Sequence, residues 1–197
     1  MWWPDPRLQT CVRLAAALAV AALSAGCFQP LYGERSFAAT PNSPGLRERL
    51  SAVEIQDIVP PSSSNVTSTV GAAVTRLGVE VRNVLIYNLT GGGGALPATH
   101  SLKVNLSTQQ LSVIVDTTTS RPDVSNYGID ATYTLTDLVT GKAVLSGRTF
   151  SRVSYDIPGQ EQRFAGARGL RDAENRAAKV IADQIKSRLT SYFVAGS

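Results

Sequence analysis

The sequence predicts an α+β domain of order β-α-β-β-β-α, a four-stranded mixed sheet with two helices packed on one face. Two observations carry that expectation. Two segments, near residues 70–89 and 164–193, repeat apolar residues every three or four positions, the spacing of a helical stripe. Four others alternate apolar and polar residues with period two, as half-buried strands do. One apolar stripe per helix and one apolar face per strand are buried together when both helices cover the same side of the sheet.

The first strand is read at Ser51-Ala52-Val53-Glu54-Ile55-Gln56-Asp57-Ile58, and Pro60-Pro61 ends it. In the helix that follows, Val70, Val74, Leu77, Val81, Val84 or Leu85, and Leu89 share a stripe. Arg76, Glu80 and Arg82 lie mostly off it. Asn65 or Thr67 is placed to cap its start, and Gly91 to Gly94 ends it. Gly71 and Gly78 each weaken the helix by about 1 kcal/mol against alanine, so tertiary packing must hold it.

Leu102, Val104 and Leu106 then alternate with Lys103, Asn105 and Ser107. Leu111, Val113 and Val115 fall on odd positions, a slip of one residue that predicts a bulge near Thr108-Gln109-Gln110. Thr117 to Asp123 reads as a loop carrying Arg121. Tyr127, Ile129, Ala131, Tyr133 and Leu135 alternate opposite Asp130, Thr132, Thr134 and Thr136. A turn over Asp137 to Lys142 leads into the last strand, Ala143 to Tyr155, and Pro158-Gly159 stops the sheet. The first strand-helix-strand connection reads as a crossover and the rest as antiparallel hairpins.

The last helix has its stripe at Phe164, Ala167, Leu170, Ala177, Ile181, Ile185, Leu189 and Tyr192 or Phe193. Its other faces interleave Arg168, Arg171, Arg176, Lys179, Lys186 and Arg188 with Asp172, Glu174 and Asp183. Mixed signs of this kind mark a solvated face and not a nucleic-acid surface.

Ahead of the domain, Arg7 and Arg13 precede an unbroken apolar run from Leu14 to Leu23, which is followed by Ser24-Ala25-Gly26-Cys27. This is the layout of a secretory signal, shorter than the ~20 apolar residues that span a bilayer. A cysteine directly after the small residues resembles the bacterial lipobox, in which the thiol is lipidated and becomes the first mature residue. Ser24 stands where that pattern prefers leucine. The expected division is therefore 1–26 lipoprotein signal peptide, 27–50 lipidated N-terminus and tether, and 51–197 a single α/β domain. Proline and glycine at positions 30, 33, 41, 44 and 45 give the tether its irregular composition.

Cysteine usage agrees with that division. Cys11 falls in the removed segment, so Cys27 has no intramolecular partner, and a thioether-linked lipid accounts for the odd thiol. Several acyl chains, palmitate among them, anchor stably at about 0.8 kcal/mol per buried CH2. Phe28 after the cysteine resembles the sorting pattern of lipoproteins sent to the outer membrane. The removed segment carries Arg7 and Arg13 against Asp5, which lowers the formal +4 of the whole chain by one. So mild an excess argues for no nucleic-acid partner.

Chemistry is poorly provided for, and no enzyme is expected. The one histidine, His100, stands just before a strand, without a Gly-x-Ser-x-Gly elbow anywhere. One histidine and one lipidated cysteine make no metal site, and beyond the lipid on Cys27 no cofactor is expected. The glycines at 91–94 close a helix and are followed by no Gly-Lys-Ser or Gly-Lys-Thr, so they make a turn and not a phosphate cradle.

Cys27-Phe28-Gln29-Pro30-Leu31-Tyr32-Gly33 resembles the start of mature LptE proteins of alphaproteobacterial type, which typically read GCGFxPLYG; the glycine between Cys and Phe is missing here. The helix from Phe164 through Ala177-Ala178-Lys179-Val180-Ile181 to Tyr192-Phe193 is similar to that family's C-terminal helix. The element order agrees with the family fold. The resemblance implies an outer-membrane lipoprotein, facing the periplasm, that plugs the lumen of a large LptD-type β-barrel and assists lipopolysaccharide assembly. Direct contact with lipopolysaccharide phosphates would use exposed cations. Arg121, Lys103, Arg148 and Arg152 are the candidates, with Arg121 first because family members often carry Ser-Arg there. The alternative is another non-enzymatic lipoprotein, a lipid-transporter auxiliary subunit or a pilotin-like chaperone. The Phe28-to-Gly33 stretch favours LptE over it.

Overall fold

The computed structural model describes residues 44–58, 68–114, 122–157 and 163–195. Cys27, the Phe28-to-Gly33 stretch, Arg121, and the cap candidates Asn65 and Thr67 lie outside the described residues. In chain order the described elements are α1 (Leu46–Ser51), β1 (Val53–Ile55), α2 (Ser68–Thr90), β2 (His100–Ile114), β3 (Pro122–Asp137), β4 (Ala143–Asp156) and α3 (Arg163–Ala195). None of these helices is long and apolar enough to cross a membrane.

The strands form one mixed sheet in the order β1-β2-β3-β4. β1 runs parallel to β2, because α2 carries the chain back to the same end of the sheet. The other pairs are antiparallel. Helix α3 packs on β3 and β4, α2 packs on β1 and β2, and the two helices pack against each other. The α+β class and the single helical layer are therefore as the sequence predicts.

The α2 stripe is buried at Val74, Leu77, Val81, Leu85 and Leu89, where each aliphatic side chain withdrawn from water contributes about 1.5–3 kcal/mol. Gly78 explains its own place in the helix. A Cβ there would stand 2.5 Å from the Ile58 carbonyl oxygen, so only glycine lets α2 approach the chain leaving β1. The other layer of the core comes from Leu102, Val104, Leu106, Tyr127, Ile129, Ala131, Tyr133 and Leu135.

Four sequence expectations are corrected. The first strand, expected over 51–58, is only Val53–Ile55, and residues 46–51 read as tether and strand form helix α1 instead. Leu46 and Leu50, one helical turn apart, are both buried in the core, which is why that turn folds. Next, β3 begins at Pro122, inside the segment expected to be loop.

The bulge predicted near 108–110 is absent, and β2–β3 pairing runs unbroken from His100↔Asp137 to Val113↔Val124. The irregularities fall instead between Val113 and Ile114 and, in the other hairpin, between Leu135 and Thr136. The apparent change of phase has a chemical cause. Thr108 and Gln110 take helix-side positions because Tyr127 and Tyr155 need hydrogen-bond partners there. Leu111 is left on the opposite face, 62% exposed.

Finally, the α3 stripe does not begin at Phe164, which is 87% exposed. Contact starts near Gly169, whose Cβ position lies 3.4 Å from the Asp156 carbonyl, and continues through Ala173, Ala177, Ala178, Ile181, Ala182, Ile185, Leu189 and Phe193.

Candidate functional site

Lys103, Arg148 and Arg152 all project from the face of the sheet that the helices leave bare. Successive strand residues alternate sides. With Leu102 and Val104 facing the helices, Lys103 and Asn105 face away. Register then puts Thr132, Asp130 and Gly128 of β3, and Arg148, Phe150 and Arg152 of β4, on the same bare face. Its remaining side chains are mainly short and polar: Ser101, Ser107, Asn126, Thr134, Ser146 and Ser154.

Asp130 organises this face. Arg148 Nη2 donates to its Oδ1 at 3.1 Å, and Arg152 Nη2 donates to its Oδ2 at 3.0 Å. The carboxylate is only 11% exposed, against 70% for Arg148 and 43% for Arg152. Arg152 also donates through Nη1 to the carbonyls of Ile129 and Ser151, and its guanidinium carbon lies 5.6 Å from the Phe150 ring centroid. Two guanidinium groups against one carboxylate leave a net positive charge whose outward N–H groups can take an oxyanion.

Lys103 is exposed and lies diagonally across β3 from Arg148, one row further along the sheet. Among the described residues it makes no ion pair. The structure thus brings Arg148 and Arg152 together on one carboxylate and keeps Lys103 apart on the same face.

Sequence reasoning missed Asp130 as the anchor, and missed a second ion pair on the helical side. Glu174, read as part of a solvated face, is buried at 5% exposure. It accepts two bonds from Arg76 Nη2 of α2, at 2.7 and 3.0 Å. The pair lines a pocket of about 230 Å³ with Leu77, Glu80, Arg171 and Asn175. Beneath it, burial and then the Glu174 charge push the Tyr127 hydroxyl up to about 12. An i,i+3/i,i+4 count marks Glu174 as adjacent to the buried Ala177 and Ala178, which was the available signal.

His100 has a packing role at the start of β2. Its Nδ1 lies 2.8 Å from Thr99 Oγ1, and its ring meets Phe193 edge-on at 5.3 Å. Among the described residues no group of three or more His, Cys, Asp or Glu is placed to hold a metal ion.

The LptE family profile, described as lipopolysaccharide-assembly, matches residues 50–189. No curated protein matches the chain by sequence. Among solved structures, one from Caulobacter crescentus CB15, described as a lipoprotein, aligns with a TM-score of 0.56 at 23% identity. The alignment covers 78% of this chain and 98% of that one. Rare lipoprotein B of Shewanella oneidensis aligns with a TM-score of 0.49 at 15% identity, over 73% of this chain and 96% of that one.

Proposed function

The chain belongs to the LptE family of lipopolysaccharide-assembly proteins, and from that premise we propose that it is an outer-membrane lipoprotein that plugs an LptD-type β-barrel. In this reading Cys27 carries the lipid, the domain faces the periplasm, and the body seats in the polar lumen of the barrel. It works by binding and positioning, not by catalysis. The observation that carries the reading is the extent of the family match, which spans all four strands, helix α2 and most of α3.

Two features of the domain support it. A plug must be compact and present hydrogen-bonding groups to a polar wall, and the bare sheet face offers rows of Ser, Thr and Asn. Arg148 and Arg152, held on Asp130, offer a cationic spot that suits lipopolysaccharide phosphates, with Lys103 on the same face; Arg121, outside the described residues, is the fourth candidate. Lysine there contributes a point charge, whereas Arg148, which gives Asp130 a single bond from Nη2, can bind a phosphate through two parallel N–H groups.

Depleting the chain in its own host, while measuring lipopolysaccharide at the cell surface, tests the assembly role. Surface lipopolysaccharide falls and the molecule accumulates on the periplasmic side if the reading holds. Unchanged surface lipopolysaccharide overturns it. Cys27→Ala adds a test of the anchor: the variant leaves the membrane fraction when the barrel is absent.

A further inference from the structure

The two edges of the sheet are finished differently. β1 is three residues long and its neighbours close it off. Leu96 N donates to Ser51 O and Arg82 Nε donates to Ile55 O. β4 forms the opposite edge, and its 14 residues extend roughly 46 Å.

Among the described residues no backbone pairs with the outer side of β4, and Arg176 donates to its carbonyl at Ser154. A long unpaired edge is a template for another strand, and isolated domains usually blunt it with proline, a bulge or guarding charges. Ala143–Asp156 contains no proline. The two charges along its middle, Arg148 and Arg152, lean onto Asp130 of β3 while staying 70% and 43% exposed, so they leave the edge backbone open and still lend the edge positive charge.

We propose that the outer edge of β4 receives an extended, acidic segment of the barrel partner as a fifth strand. This rests on the barrel reading above and names the surface that serves it. Main-chain bonds along an added strand supply affinity, and side chains at alternate positions supply selectivity. The charge on the edge selects the kind of segment. Among the described residues of the strand and its turn, Lys142, Arg148 and Arg152 stand against Asp156 on the edge and Asp130 behind it. A second copy of this chain would set that cationic excess against itself, whereas a segment with carboxylates beside Phe150 matches it. A closed barrel wall has no free edge to offer, so the segment comes from a loop or terminus of the barrel protein.

The test uses the full chain in its own membranes, with a photoreactive residue in place of Ser146, Phe150 or Ser154 on β4, and of Asn83 or Lys179 on the helices. Hydrogen exchange of the extracted complex is read alongside. Barrel adducts from β4 but not from the helices, with amides protected at alternate residues of 143–156, are the expected result. Recovery of the barrel with adducts only from the helices, or without alternating protection, overturns the proposal and leaves the plug reading intact. Adducts between two copies of this chain overturn it in favour of a homotypic edge. Failure to recover any barrel overturns both.

Discussion

Arg152 lies across the bare α-carbon of Gly128: a Cβ at that position would stand 2.9 Å from both Cδ and Nε of the arginine. The glycine is the seat that lets the guanidinium reach Asp130 from the neighbouring strand. Gly128→Ala is expected to lift Arg152 off Asp130 at a cost below about 1 kcal/mol, because a long side chain can swing away. Gly78→Ala should behave oppositely. Its Cβ would meet the Ile58 carbonyl oxygen at 2.5 Å, and backbone cannot swing aside. The roughly 1 kcal/mol that alanine adds to helix propensity is then outweighed by an overpacking cost of about 1–3 kcal/mol. Denaturant unfolding of the two variants ranks them; equal stability would refute the packing account.

Removing one arginine of the Asp130 cluster leaves the other in place. Arg148→Ala and Arg152→Ala should each cost under about 1 kcal/mol, as exposed ion pairs do. The double variant strands a carboxylate that is 11% exposed, and is expected to cost about 2–3 kcal/mol, more than the sum. Simple additivity in a double-mutant cycle would show that Asp130 does not depend on the pair.

The same logic holds more strongly at Glu174, whose side chain is 6% exposed. Arg76→Ala should destabilise the domain by about 2 kcal/mol, and adding Glu174→Gln should recover part of that loss because the stranded charge is gone. If the second change deepens the loss, the pair acts through shape and not charge.

These two clusters mark where reading the sequence stopped short. The alternation at Tyr127, Ile129, Ala131, Tyr133 and Leu135 was legible because burial on one face imposes period two, and all five are buried. Asp130 was legible only as an outward position. Its partners depend on β3–β4 register, and counting back from the turn at Asp137–Lys142 fails because the pairing shifts between Leu135 and Thr136. Leu111 misled for a related reason: polar partners for buried tyrosines displaced apolar residues from the helix side. Helix α1 is only six residues long, too few for its Leu46–Leu50 spacing to stand out against the surrounding glycine and proline. Cys27 and Arg121 rest on the sequence alone.

Stability should fall on the alkaline side. Burial raises the Tyr127 pKa from 10.0 to about 12, and raises that of Tyr133 as well. Between those values the unfolded chain has lost the Tyr127 proton while the folded chain keeps it, so stability falls as pH rises. The contribution is complete below pH 10 and gone above about 12. Tyr127→Phe should flatten that slope. On the acid side, the Val139 backbone N–H holds the Asp137 carboxyl below its usual 3.8, so its contribution is lost as pH falls below that value.

The measurement that bears most directly on the whole account is the stoichiometry of what travels with the full-length, membrane-extracted protein, purified beside Cys27→Ala. One large outer-membrane β-barrel, recovered in an amount equal to this chain, is the predicted result. An inner-membrane transporter subunit, a secretin, or no partner at all would contradict it.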